Sequence, residues 1–177
     1  MTQATAAPAA TKRETPEAAE IQGATAIARA LKEQGIDTMF GIVGFPVFEI
    51  AVAAQKEGIR YFGFRNEQAA SYAAGAIGYL TGRPGVCLAV SGPGMVHGIA
   101  GLANAWSNCW PMLLLGGAND TYQNGMGAFQ EAPQIEAARP FTKYAARPDR
   151  IATPRALVAR FAGSAGRRSA RARAPAT

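Results

Sequence analysis

The sequence predicts an α/β fold, a doubly wound parallel sheet with helices on both faces. Strand-like and helical segments alternate at intervals of about 22 to 26 residues, which is the pattern of βαβ units with right-handed crossovers. Segment 86–90 is an uninterrupted apolar run, as expected for a parallel strand that helices cover on both faces. Each predicted strand passes into a glycine-rich or acidic junction, so these junctions would meet at one edge of the sheet.

The individual elements follow from apolar spacing and from the positions of glycine and proline. In chain order we predict a helix over 24–31 that stops at Gly35, a strand over 38–40, a helix over 46–56 that stops at Gly58, a strand over 60–64, a helix from 67 to about 82, a strand over 86–90, a helix that opens at 91–94 and reaches about 108, and a strand over 112–115. Pro46 would open the second helix, where its missing N–H costs nothing.

The chain divides by composition into three parts. We expect a disordered Ala/Thr/Pro-rich extension over 1–20, one domain over 21–150 and a basic low-complexity tail over 151–177. Residues 150–177 contain seven arginines and no acid, whereas the other 149 residues contain 11 Lys and Arg against 12 Asp and Glu. The formal net charge of +6 therefore does not indicate a nucleic-acid-binding face on the domain.

The two cysteines, Cys87 and Cys109, do not have metal-ligand spacing, and we expect both to be reduced and buried in a cytoplasmic protein. No segment reaches the roughly 18 continuous apolar residues of a membrane span. Residues 1–20 lack the apolar block of a secretory signal. We therefore expect neither a membrane partner nor a nucleic-acid partner.

Glu67 is the only acid between Glu57 and Asp120, and it stands where an apolar strand passes into a helix rich in Ala and Gly. A carboxyl group at such a junction should be partly withdrawn from water, which suits a group that shares a proton with a ligand. Alternatively, Glu67 is an ordinary first-turn acid that interacts with the dipole of its own helix. Spacing alone leaves both interpretations open.

The carboxyl ends of the predicted strands carry Glu67 and the glycine-rich segments 41–44, 91–94 and 116–117. Ligands of open parallel sheets bind beyond this edge, so we predict a binding site there. The sequence has no dinucleotide fingerprint, P-loop or nucleophile elbow, and its single histidine, His97, has no acid placed by sequence to orient it. One His and two distant Cys do not indicate a metal site.

Seven short motifs carry a resemblance to a known family. In order they are FGIVGFP at 40–46, RNEQAA at 65–70, GAIGY at 75–79, GRPGVC at 82–87, SGPG at 91–94, NCWP at 108–111 and GAFQE at 127–131. Together they closely resemble the N-terminal pyrimidine-binding domain of 2-hydroxyacyl-CoA lyases, which are thiamine-diphosphate enzymes related to oxalyl-CoA decarboxylases and acetolactate synthases. The resemblance covers roughly residues 20 to 148.

The resemblance implies a role for each residue of the predicted binding edge. Glu67 would be catalytic, because the family's glutamate at this place hydrogen-bonds N1′ of the cofactor's aminopyrimidine and promotes loss of the thiazolium proton. Ile42 and Gly44 would line the same pocket, and Pro93 and Gly94 would pack against the pyrimidine. Small residues there let the backbone approach closely.

Two further positions are assigned by the same resemblance. His97 stands where acetolactate synthases tend to have Asn, and it is either a cofactor-binding residue or an ordinary polar residue of its helix. Phe129 and Gln130 match lyases and acetolactate synthases, whereas oxalyl-CoA decarboxylases tend to have Tyr-Glu. Gln130 would be the second catalytic residue, with an amide near the reacting carbonyl. Cys109 and Trp110 would serve packing or dimer contacts rather than chemistry.

The chain also departs from the family. Family members continue into a central domain and a C-terminal domain that holds Mg²⁺ and the diphosphate, whereas residues 155–177 here are low-complexity Ala, Arg, Gly and Ser. We interpret this as an interrupted or shifted reading frame. The resemblance then implies a chain that is inactive alone and needs a complementing diphosphate-domain chain or homo-oligomer partner to act on an acyl-CoA-type substrate. An acetolactate synthase-like transferase fragment and a non-catalytic remnant are the alternatives.

Overall fold

The computed structural model describes residues 21–148, and the predicted 1–20 extension and 151–177 tail lie outside this range. The elements are α1 (Gly23–Glu33), β1 (Thr38–Gly41), α2 (Phe48–Lys56), β2 (Arg60–Gly63), α3 (Glu67–Thr81), β3 (Gly85–Ala89), α4 (Pro93–Ser107), β4 (Met112–Gly116), a 3₁₀ turn (Thr121–Gln123), α5 (Gln134–Ala138) and a second 3₁₀ turn (Arg139–Phe141). The predicted strands and helices are present up to β4, and α5 is an addition that the sequence did not predict.

The strands form one parallel sheet in the order β2-β1-β3-β4. β1 pairs with β2 on one side and with β3 on the other, so the direction of winding reverses between β1 and β3. The doubly wound parallel sheet is thus confirmed. At such a reversal the loops that leave the two strands diverge, and a crevice opens at their carboxyl ends.

Helices cover both faces of the sheet, as predicted, and each face has its own apolar cluster. The cluster under α1 and α2 includes Leu31 together with Val86 and Leu88 of β3. The cluster under α3 and α4 includes Leu102 together with Cys87 of β3. The side chains of β3 alternate between the two faces, and all five of its residues are buried.

α3 and α4 pack closely side by side. The backbone N–H of Gly101 donates to Ser71 Oγ at 3.1 Å, and a Cβ atom at position 101 would lie 2.2 Å from the same oxygen. A glycine inside a helix costs about 0.5 to 1 kcal/mol relative to alanine. Here it permits a helix contact that a larger residue would block, and this contact sets the relative position of the two helix N-termini.

The start of α2 differs from the prediction. The helix begins at Phe48 rather than at Pro46, and the Phe45–Pro46 peptide bond is cis. The carbonyl of Gly44 accepts from the N–H of Val47 at 2.9 Å and from that of Phe48 at 3.1 Å. Pro46 therefore lies inside a tight turn that precedes the helix, and spacing alone could not distinguish that turn from a first helical turn.

The prediction for the cysteines is correct for Cys87 and wrong for Cys109. Cys87 is buried in β3, whereas Cys109 is exposed in the turn between α4 and β4. Cys109 has a φ of 58°, and this left-handed backbone directs the next residue inward. Trp110 packs against the cluster under α3 and α4, with its ring centroid 5.1 Å from that of Tyr79, so the predicted packing role holds for Trp110. Among residues 21–148, no helix is both long and apolar enough to cross a bilayer.

Candidate functional site

Glu67 is the first residue of α3, directly beyond β2 at the carboxyl edge of the sheet. The preceding residue, Asn66, caps the helix, because its side-chain oxygen accepts from the N–H of Ala69 at 3.0 Å. This cap fixes where the helix begins and therefore where the Glu67 side chain leaves the backbone. The side chain is only 15% exposed, so most of it is withdrawn from water, as the sequence predicts.

His97 of α4 contacts the Glu67 carboxylate. Its Nδ1 lies 3.2 Å from Glu67 Oε2, and its side chain is 61% exposed. The pair lies one helical turn before Ser71 and Gly101, so α3 and α4 meet twice in succession with the same four-residue spacing. The acid that the local sequence does not offer to His97 is thus supplied across the helix pair.

A glycine leaves room beside the second carboxylate oxygen. A Cβ atom at position 94 would lie 3.3 Å from Glu67 Oε1 and 2.5 Å from Val90 Cγ2. On the other side of Val90, a Cβ atom at position 44 would lie 2.8 Å from Cγ1. Gly44 and Gly94 therefore pack against the two methyl groups of one valine. The loop after β1 and the first turn of α4 are thereby held beside the acid, and Gly94 approaches Oε1 without a side chain.

Cys87 lies buried beneath this carboxylate. Burial, and then the negative charge of Glu67, raise the pKa of the Cys87 thiol to about 12. The thiol is therefore neutral at physiological pH, and a neutral buried thiol behaves as a small apolar side chain. Cys87 forms part of the apolar support of the site and does not act as a nucleophile.

The other predicted residues surround this centre at different depths. The N–H of Ile42 donates to Leu88 O at 3.3 Å, which extends the pairing of β1 and β3 into the loop. Pro93 is exposed at the first position of α4. The backbone of Gln130 lies against Gly92, since a Cβ atom at Gly92 would lie 2.6 Å from the Gln130 carbonyl oxygen. The structure thus brings Glu67, His97, Gly44 and Gly94 together, and it places Gln130 beside the residue that precedes Pro93.

Gln130 has an unusual backbone. Its φ is 57°, and Cys109 is the other non-glycine residue with a positive φ in residues 21–148. A non-glycine residue in this region costs about 1 to 3 kcal/mol and persists when its surroundings fix it. Strain of this kind is concentrated at functional sites, which agrees with the pocket role implied for Gln130.

Gln134 is a site residue that the sequence does not predict. Its side-chain Oε1 accepts from the N–H of Gly92 at 3.1 Å, and its Nε2 donates to Gly117 O at 2.6 Å. One amide thus ties the segment after β3 to the segment after β4. A lone glutamine on a five-residue helix gives no local signal for such a bridge, because both partners are distant in sequence.

A cavity of about 730 Å³ runs along β4 and the segment that follows α5. Gln130 and Ser91 line it, whereas Glu67 and His97 do not. The cavity is therefore separate from the acid, and Gln130 lines it while its backbone lies against Gly92. Within residues 21–148, no group of three or more His, Cys, Asp or Glu side chains could hold a metal ion.

Residues 21–138 match the family of thiamine pyrophosphate enzymes, N-terminal TPP binding domain. The chain belongs to this family. It is 61% identical over 132 residues to 2-hydroxyacyl-CoA lyase 1 of Mus musculus and of Homo sapiens, a match that covers 75% of this chain and 23% of each relative. It is 45% identical over 147 residues to oxalyl-CoA decarboxylase of Escherichia coli, which covers 79% of this chain and 26% of that relative.

These matches confirm the resemblance read from the seven motifs. The chain spans about a quarter of the length of these relatives. The chain thus contains a thiamine pyrophosphate enzyme N-terminal domain, with the parallel sheet and helix pair described above. The site residues keep the roles that the resemblance implies as predictions.

Proposed function

We propose that this chain provides the pyrimidine-binding half of a thiamine-diphosphate-dependent carbon–carbon lyase that acts on 2-hydroxyacyl-CoA. One observation carries the proposal: the Glu67 side chain is 15% exposed at the sheet edge, with Gly94, which has no side chain, beside Oε1. A mostly buried acid next to a glycine fits the aminopyrimidine of thiamine diphosphate. The relatives named 2-hydroxyacyl-CoA lyase support the reaction type.

Thiamine diphosphate, when bound, supplies the electron sink for breaking a carbon–carbon bond. The residues of this chain bind and orient it. Glu67 would present its mostly buried carboxyl group to the pyrimidine nitrogen at which a proton is exchanged. Gly94 lies beside Oε1 without a side chain, and the exposed ring of His97 contacts Oε2.

Gln130 supplies a neutral amide near the substrate. An amide donates hydrogen bonds without adding charge, so it suits a carbonyl whose oxygen becomes negative during reaction. The Phe-Gln pair at 129–130 resembles that of lyases, whereas oxalyl-CoA decarboxylases tend to have Tyr-Glu there, and this resemblance favours a lyase. The carbonyl of Gln130 lies against Gly92, and this contact directs the residue toward the first turn of α4.

The diphosphate and Mg²⁺ would be held by a part of the complete enzyme that this chain does not cover. We propose a partner that carries that part, either a second polypeptide or a longer chain in a homo-oligomer, in the cytoplasm. Tyr79 and Leu80 on α3 are 65% and 74% exposed, and Val96 on α4 is 52% exposed. Tyr79 and Leu80 are adjacent exposed apolar residues near the end of α3, and such a pair fits a surface that a partner covers.

A chimera tests the reaction type. Residues of this chain replace the 132 matched residues of the mouse relative, and the purified protein is assayed with a 2-hydroxyacyl-CoA and with oxalyl-CoA. We expect cleavage of the 2-hydroxyacyl-CoA with thiamine diphosphate and Mg²⁺ present. A folded chimera that acts only on oxalyl-CoA, or on neither substrate, would contradict the proposed lyase function.

A further inference from the structure

We infer that Glu131 is a positioning residue: its carboxylate folds the loop 118–130 and so holds Gln130 against Gly92 at the first turn of α4. The folding of the loop stands on the geometry of the chain alone. The consequence for catalysis rests on the proposed function, in which Gln130 contacts the substrate.

The Glu131 carboxylate accepts hydrogen bonds from the backbone N–H groups of Gly125, Gly127 and Ala128, and we call this arrangement the Glu131 clamp. Oε1 accepts from Gly125 at 2.6 Å, and Oε2 accepts from Gly127 at 2.9 Å and from Ala128 at 3.3 Å. Gly125 and Gly127 have φ values of 78° and 68°, which only glycine adopts without strain. The two glycines turn the backbone so that its donors converge on one side chain. Hydrogen bonds to an ionised acceptor are stronger than neutral ones.

Arg147 ties the same loop from outside. Its guanidinium donates to the side chain of Asn124 and to the carbonyl of Asn119. The hydrogen bond from Gly125, then those from Gly127 and Ala128 and the charge of Arg147, hold the pKa of Glu131 below its usual value of 4.5 despite partial desolvation. Among the described charged groups, Arg147 is the one that acts on this carboxylate. Glu131 is therefore ionised at neutral pH.

The loop contacts the candidate site through Gln130 and Gln134, which lie on either side of Glu131 in the sequence. Gln130, just before Glu131, has its left-handed backbone pressed against Gly92. Gln134, three residues after Glu131, accepts from the N–H of the same Gly92. Gly92 directly precedes Pro93 and Gly94. The Glu131 clamp thus fixes the segment that presents Gln130 to α4. It also stabilises the strained left-handed backbone of Gln130.

The clamp predicts a local effect of one isosteric substitution. In Glu131→Gln, one carboxylate oxygen becomes an amide nitrogen that cannot accept, and the charge is lost. Amide hydrogen exchange by NMR on the full chain should show about ten-fold or faster exchange at Gly125, Gly127 and Ala128. Amides of β3 should be unchanged. Glu136→Gln is the matched control, because Glu136 is an exposed acid on α5, and it should leave these three amides as they are.

A pH titration and a kinetic assay complete the test. A lowered pKa means that the clamp is intact above pH 4.5 and is lost only below it, so the three amide shifts should titrate together in that acidic range. In the mouse chimera, Glu131→Gln should lower kcat about ten-fold or more with KM little changed.

Each outcome decides something different. Unchanged exchange at the three amides, or equal acceleration throughout β3, would overturn the clamp whether or not the chimera is active. Faster loop exchange with an unchanged kcat in an active chimera would overturn the positioning role. An inactive chimera would refute the proposed lyase function. The amide exchange rates of Gly125, Gly127 and Ala128 would then still show whether the Glu131 clamp exists.

Discussion

Glu67 and Glu131 lie at the same edge of the sheet, and they differ in what their oxygens contact. Both oxygens of Glu131 are taken by backbone N–H groups of its own loop. Glu67 contacts the exposed ring of His97 through one oxygen, and the other oxygen lies beside Gly94. A carboxylate held by three backbone N–H groups of its own loop shapes the chain, whereas a mostly buried carboxylate whose described partner is one exposed histidine suits a ligand. Glu131 therefore has a structural role, whereas Glu67 is suited to bind the ligand.

The largest effect should come from removing the acid of Glu67. In the mouse chimera, Glu67→Gln should reduce kcat about 10²-fold to 10⁴-fold, the usual contribution of a positioned proton-transfer group. Glu49→Gln is the matched control, because Glu49 is an exposed first-turn acid of α2, and it should keep full activity. A Glu67→Gln chimera whose kcat is within three-fold of that of the parent would contradict the catalytic role of Glu67.

Filling the space beside Oε1 should come next. In Gly94→Ala the new Cβ would lie 2.5 Å from Val90 Cγ2 and 3.3 Å from Glu67 Oε1. We expect about 1 to 3 kcal/mol lower stability from overpacking, measured by urea unfolding. Cofactor affinity in the chimera should also fall, because the new methyl group would crowd Glu67 Oε1. Gly23→Ala has open space around it and should change neither property.

The helix contact that aligns Glu67 with His97 should also be sensitive. A Cβ at position 101 would lie 2.2 Å from Ser71 Oγ, so Gly101→Ala should push α3 and α4 apart. We expect about 1 to 3 kcal/mol of destabilisation by thermal or urea unfolding. If the stability is unchanged, the register of the two helices does not depend on this glycine.

His97 should matter least. Its ring is 61% exposed, and an exposed contact of this kind contributes at most about 1 kcal/mol. His97→Asn should therefore change stability by less than that amount and leave the chimera active. A loss of activity as large as that of Glu67→Gln would make the histidine a partner in the chemistry and end its interpretation as a polar residue of α4.

The fold could be predicted from the sequence because it is written in short-range patterns. The apolar run at 86–90 gave the fully buried β3, and the alternation of strands and helices gave the parallel sheet. The errors fall where local signals are ambiguous. Pro46 fits both a first helical turn and the cis turn that the structure contains, and Cys109 is turned outward by a left-handed backbone.

The site was predictable only in part, because its contacts join distant residues. The position of Glu67 at a strand end follows from the alternation of strands and helices. Its contact with His97 depends on how Gly101 packs against Ser71. Gln134 bridges two segments that no spacing relates. Such pairs arise from packing, and a single sequence does not encode packing in any local pattern.

Cofactor titration tests the central claim most directly. Thiamine diphosphate with Mg²⁺ is titrated by calorimetry into the chimera, into its Glu67→Gln variant and into the Glu49→Gln control. Loss of a charge-assisted hydrogen bond should weaken binding about ten-fold or more in Glu67→Gln and leave the control unchanged. Equal affinity in all three folded proteins would contradict the assignment of Glu67 as the residue that contacts the cofactor.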